Sequence, residues 1–130
     1  MFTKKIAGCI IIEKNKVLLI RKKSNNWFEI PGGTIEAHET PQQTAIREMK
    51  EETCCDVEIL SLYQEQEFEH KGKLYHGTWF LGKISSKPEP KIGEPQEYSE
   101  IAFIPLEQLS EMAISPTVQN ILLSIPASSQ

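Results

Sequence analysis

A chain of 130 residues, 39% hydrophobic and 25% charged, has the size and balance of one globular domain, residues 1–130, with enough apolar side chains to bury a core. Its formal net charge of −4 argues against a partner such as a nucleic-acid polymer, whose backbone is held by clustered cations that displace counterions. No apolar run approaches the ~20 residues of a membrane span, and three cysteines, two of them adjacent, form no disulfide framework, so a reducing, cytoplasmic setting without membrane attachment is expected.

Met1-Phe2-Thr3-Lys4-Lys5 leads straight into an apolar run, Ile6–Ile12, that is too short and too β-branched for a signal peptide and is followed by no small-residue cleavage site. Lys5–Glu13 reads as a strand with Cys9 as a small core residue, and Asn15 marks a tight turn into a second strand, Val17–Lys22. Arg21-Lys22-Lys23 is the densest basic cluster. Two readings stand for it: a solvated strand end, or contact of Arg21 or Lys22 with a substrate phosphate. Ser24-Asn25-Asn26 is a loop, and Trp27 and Phe28 either line a base-binding pocket or pack in the core. Pro31-Gly32-Gly33 is expected to turn, with a short strand over Thr34-Ile35-Glu36. Thr40 fits a helix N-cap with Pro41 at the first helical position, and the helix runs to about Thr53.

Asp56–Phe68 and Leu74–Ile84 form a predicted hairpin around Glu69–Lys73, with His70 and His76 at the surface. Ser85–Pro95, holding Pro88, Pro90 and Pro95, is a loop within the domain. Glu97–Ile104 is a strand, Pro105–Met112 a short helix, and Ser115-Pro116 caps a last helix, Thr117–Ser124. Val118, Ile121, Leu122 and Ile125 make its buried stripe, and Pro126–Gln130 is a frayed tail.

On a wheel of 100° per residue with Arg47 at zero, Glu51, Glu48 and Glu52 fall at about 40°, 100° and 140°, while Ala45, Ile46, Met49 and Thr53 fill the opposite arc. Like charges three and four residues apart each cost a few tenths of a kcal/mol in an isolated helix, so a positive group is expected against them. Hard cations such as magnesium take oxygen ligands from a few carboxylates, and glycines at Gly32 and Gly33 let backbone approach the same ion. The bland alternative is a solvated acidic face with Arg47 and Lys50 as counter-charges.

With Gly33, five residues, Glu39, seven residues and then Arg47-Glu48-Met49-Lys50-Glu51-Glu52, the stretch resembles the Nudix box, G-x5-E-x7-R-E-U-x-E-E-x-G-U with U bulky and aliphatic. Cys54 stands where that box has glycine, Cys55 at the following aliphatic position, and His38 where glycine is common. Cysteine at a left-handed helix end costs about 1 kcal/mol, unless the helix ends in another way.

The resemblance implies an α/β/α sandwich with a mixed β-sheet between helices, and hydrolysis of substrates containing a nucleoside diphosphate linked to another group, with Mg2+ or Mn2+. Carried over by position, Glu48, Glu51 and Glu52 are metal ligands, Gly32 offers a carbonyl, and Glu39 and Arg47 make supporting contacts. Glu97 takes the place of an additional glutamate, with Glu100 in reserve. Glu48 is the general base that the resemblance favours, although coupled carboxylates titrate together. A proline associated with ADP-ribose hydrolases, about fifteen residues past the box, and the aromatic-rich motif of NADH diphosphatases are both missing. A compact MutT-like chain then implies a (d)NTP or oxidised-dNTP pyrophosphohydrolase. Hydrolases of ADP-ribose, nucleotide sugars or dinucleoside polyphosphates are the alternatives, as is a noncatalytic nucleotide- or metal-binding module. The oligomeric state stays open, a homodimer included.

Overall fold

The computed structural model describes residues 3–85 and 89–125, so Pro88 of the proline-rich loop and the expected tail Pro126–Gln130 lie outside the described residues. Seven strands are arranged around β1 (Thr3–Glu13). One edge of β1 runs parallel to β6 (Lys73–Ile84), from Thr3 opposite Leu74 to Ile11 opposite Gly82. Its other edge is shared, pairing antiparallel with β4 (Gly32–Thr34) through Ile6–Gly8 and, at its end, with β2 (Lys16–Lys22). β5 (Val57–His70) lies outside β6, while β2 carries β3 (Phe28–Glu29) and β7 (Tyr98–Pro105).

Alternation along β1 and β2 divides the core between two faces. Cys9, Ile11 and Leu18 pack with Ala45 and Met49 of α1 (Pro41–Thr53). Ile10, Val17 and Leu19 pack on the opposite face with Leu106 and Leu109 of a 3-10 helix, Leu106–Glu111, and with Val118, Ile121 and Leu122 of α2 (Pro116–Leu123). The mixed sheet between helices is the expected sandwich, and Cys9 is fully buried, its thiol pushed up to about 12 by that burial.

Apart from β3, to which the sequence reading assigns no strand, the elements match that reading in type and order, with instructive differences. β1 starts two residues early, and the short strand is Gly32–Thr34, where a turn was expected, in place of Thr34–Glu36. Neither glycine has positive φ. What demands glycine is proximity: a Cβ on Gly32 would stand 2.5 Å from the Ala7 carbonyl oxygen and 2.8 Å from Gly8 Cα. The hairpin is longer than expected and closes on Lys71 and Gly72, both with positive φ, the geometry that matches strand twist in two-residue turns. α2 starts one residue early because Pro116 takes its first turn while Ser115 Oγ accepts from Val118 N at 3.3 Å.

Candidate active site

The first turn of α1 is fixed by a capping box: Gln43 N donates to Thr40 Oγ1 at 3.1 Å, and Thr40 N to Gln43 Oε1 at 2.9 Å. At its other end Cys54 adopts φ 64 and ψ 17, the left-handed state that the missing glycine would have reached without a Cβ clash. The following loop supplies further help: Lys91 N donates to Thr53 O, and Gly93 N to Glu52 O, each at 3.0 Å. Gly93 approaches so closely that a Cβ there would lie 2.1 Å from Glu51 O. The next residue, Glu94, feels the charges of Glu48 and Glu51 on the helix.

Arg47 organises that face. Its Nε and Nη2 grip Glu39 Oε2 and Oε1 at 2.6 and 3.0 Å, while Nη1 reaches Glu48 Oε2 at 3.0 Å and Glu51 Oε1 at 3.1 Å. Nη2 also donates to Thr34 O at 3.2 Å, tying α1 to β4. Glu39 further accepts from Thr44 Oγ1 and Glu36 N. The Arg47 hydrogen bonds, followed by that from Thr44, hold its carboxyl down at about 2. Glu39 and Arg47 are thus joined by two hydrogen bonds.

Glu52 is held differently. It is 3% exposed, and its two oxygens accept from Gly32 N at 2.9 Å and from Tyr98 OH at 3.0 Å. Burial first, then the neighbouring Glu48 carboxylate, raise its pKa to about 9. Glu94 is also raised, by burial and then by Glu48, Glu51 and Glu97. The expected arc of three acids is thus divided: Glu48 and Glu51 turn toward Arg47, and Glu52 is anchored to β4 and β7. Among the described residues no three His, Cys, Asp or Glu side chains form a complete metal cage.

The donor set nonetheless fits a hard divalent cation. Glu48 and Glu52 stand together, Glu52 oriented by Gly32 N and Tyr98 OH, and all the groups are oxygen donors. Gly33 leaves the approach open, since a Cβ there would lie 2.5 Å from Glu48 Oε2. Gly32, expected to offer its carbonyl to a metal, is seen to use its N–H to hold Glu52.

Beside this centre lies a cavity of about 380 Å³, lined among others by Lys22, Trp27, Glu29, Gly32, Gly33, Phe68, Tyr75 and Tyr98. Phe68 and Tyr75, a cross-strand pair, stack with centroids 5.3 Å apart. Lys22 and Trp27 line this cavity, and Arg21 and Phe28 are not among its lining residues. Arg21 is spent on Glu100 at 3.3 Å and Asn26 O at 3.0 Å, and its guanidinium sits 4.9 Å above the Phe28 ring, which is 2% exposed in the core. That pairing engages Glu100, the reserve candidate, with Arg21.

Glu97 is exposed, its carbonyl tied to Lys23 N, whereas Glu94 stands in the field of Glu48 and Glu51. A bulge explains Tyr98. Arg21 and Lys22 are adjacent on β2 but face Glu100 and Tyr98, two apart on β7, so Tyr98 turns inward while Glu100 turns out. Glu94 and Tyr98 escaped the sequence reading. The one sequence signal for Glu94 was the glycine before it.

A mixed sheet between helices carries an arginine-braced glutamate helix beside a cavity, and comparison with known proteins places this scaffold. The chain belongs to the Nudix family, whose NUDIX domain model matches residues 3–122, and it is a MutT-like Nudix hydrolase. It is 32% identical over 101 residues to the 8-oxo-dGTP diphosphatase of Escherichia coli K12, covering 72% of this chain and 77% of that one. It is 34% identical over 110 residues to an ADP-ribose pyrophosphatase of Methanocaldococcus jannaschii, covering 79% of this chain and 63% of the relative. The fold superposes on a MutT NUDIX hydrolase from Burkholderia pseudomallei with TM-score 0.88 at 20% identity, over 97% of this chain and 100% of that one.

Proposed function

We propose that this Nudix hydrolase is a Mg2+- or Mn2+-dependent pyrophosphohydrolase of a (d)NTP or oxidised dNTP, releasing a nucleoside monophosphate and pyrophosphate. The observation that carries this reading is continuity: the aromatic cavity reaches Gly32 and Gly33, which themselves touch Glu52 and Glu48. About 380 Å³ is at the small end of ligand sites and suits a single nucleoside.

In this reading Glu48 and Glu52 hold the cation, with Glu51 and Glu94 at its rim and Glu97 left in solvent. When bound, the cation neutralises phosphate oxygens and lowers the pKa of a bound water. Glu48 takes the proton of the attacking water, and Arg47 fixes the Glu48 rotamer through its 3.0 Å bond. Lys22 meets phosphate charge at the cavity wall, and Trp27, with the Phe68–Tyr75 stack, holds the base. The three free cysteines accord with a cytoplasmic setting.

The Methanocaldococcus relative's name keeps ADP-ribose as a second reading. Incubation with Mg2+ and separate dNTPs, oxidised dNTPs, ADP-ribose, nucleotide sugars and dinucleoside polyphosphates tests both. Conversion of a triphosphate to monophosphate and pyrophosphate is expected. Preference for ADP-ribose would move the assignment to the second reading, and turnover of none would favour a noncatalytic binding module.

A further inference from the structure

Arg47 braces Glu48 and Glu51 from within the helix, whereas Glu52 is braced from the sheet. Its Oε1 accepts from Gly32 N of β4 at 2.9 Å and its Oε2 from Tyr98 OH of β7 at 3.0 Å. The segment from Gly93 to Tyr98 closes on Glu52 at both ends: Gly93 N donates to its backbone carbonyl at 3.0 Å, and the Tyr98 hydroxyl to its carboxylate. Between them the chain is tied into a turn by Glu97 N and Tyr98 N, which donate to Glu94 O at 3.0 and 3.1 Å. The bulge opposite Arg21 and Lys22 turns the Tyr98 ring inward, where it is 8% exposed, so its hydroxyl meets Glu52 away from bulk water.

The chemistry of the contact suits a ligand held ready. A carboxylate has about four acceptor sites on two oxygens. One donor on each oxygen fixes the plane of the group and leaves a further site on each for a cation. A glutamate without these donors would give up rotamer freedom when it bound. Donors that orient a carboxylate ligand in this way are commonly worth about 10–100-fold in metal affinity.

We propose that Tyr98 is a positioning residue whose hydroxyl orients Glu52 and thereby sets the affinity of the site for its divalent cation. The inference rests on the cation-dependent reading above and adds to it a group from outside the glutamate helix. Tyr98 also lines the cavity, but a wall residue acts through its ring, and phenylalanine keeps the ring while removing the hydroxyl.

Mn2+ titration followed by electron paramagnetic resonance, on the whole protein without nucleotide, tests it apart from turnover. Tyr98→Phe should bind Mn2+ at least about tenfold more weakly than the wild type. Tyr63→Phe, which deletes a hydroxyl bonded to Ser124 at the far end of the sheet face, should bind as the wild type does. Because Tyr98 acts through Glu52, the double variant Tyr98→Phe, Glu52→Gln should bind no more weakly than Glu52→Gln alone. Unchanged affinity in Tyr98→Phe, an equal loss in Tyr63→Phe, or a further tenfold loss in the double variant would overturn the role. So would a raised KM for a triphosphate in Tyr98→Phe with Mn2+ affinity intact, which would assign Tyr98 to the cavity wall. If the inference falls while the wild type still binds Mn2+, the cation-dependent reading stands. Absence of Mn2+ binding by the wild type would sink the two together.

Discussion

Glu52→Gln separates a metal-binding carboxylate from a merely structural one, because the two roles predict opposite effects on stability. In the metal-free protein Glu52 has its pKa raised from the ordinary 4.5 to about 9 by burial and by Glu48. For an acid shifted this way the folded state keeps a proton that the unfolded chain has lost. Its contribution is therefore fully present below pH 4.5 and declines as pH rises toward 9. At 1.4 kcal/mol per unit, the loss by pH 7 approaches about 3 kcal/mol, an upper bound once local relaxation is allowed for. The neutral amide of the Glu52→Gln variant would carry no such penalty. Its oxygen can accept from Gly32 N, and its nitrogen can donate to a reoriented Tyr98 hydroxyl. Urea denaturation in EDTA at pH 5 and pH 8 should show the variant more stable than wild type at pH 8 and nearly equal at pH 5. Adding Mg2+ should stabilise the wild type alone, and activity should vanish. A variant less stable than wild type at both pH values, or stabilised equally by Mg2+, would refute the reasoning.

Arg47→Ala should lower activity by at least about a hundredfold, since Glu39, Glu48 and Glu51 all lose their shared donor. Because Glu39 is held down at about 2, its contribution is present above the ordinary 4.5 and fades as pH falls toward 2. The gap in thermal midpoint between wild type and Arg47→Ala should narrow over that interval. Cys54→Gly relieves a left-handed residue at φ 64 and should stabilise the protein by about 0.5–1 kcal/mol in urea melts, with turnover unchanged. Glu94→Gln should raise the Mg2+ concentration needed for half-maximal rate, while Glu97→Gln should leave it as it is, and the reverse pattern would restore the glutamate expected from sequence.

Most of the fold could be read from the chain because its periodicities are strong. The box helix, with its Thr40 cap and Pro41 start, the apolar alternation of β1 and the stripe of α2 all signal themselves locally. The side chains gathered around Arg47 were likewise visible as helix-face neighbours plus Glu39 at fixed spacing. Tertiary contact decided the rest. The glycines at 32 and 33 looked like a turn because proximity to Ala7 and Glu48 leaves no local mark. The bulge opposite Arg21 and Lys22 changes which face Tyr98 occupies, so counting residues along β7 could not assign its acids. Glu94 feels the charges of Glu48 and Glu51 where Gly93 docks on the last turn of α1, a contact the sequence does not announce. The pairing of Arg21 with Glu100 across the sheet likewise leaves no local mark in the sequence.

The most direct test of the central claim, that Glu48 and Glu52 together hold a divalent cation, is a Mn2+ titration followed by electron paramagnetic resonance on wild type, Glu48→Gln and Glu52→Gln. The account predicts saturable binding by the wild type and a loss of at least about tenfold in affinity in each variant. Mn2+ binding that is absent in the wild type, or unchanged in both variants, would contradict it.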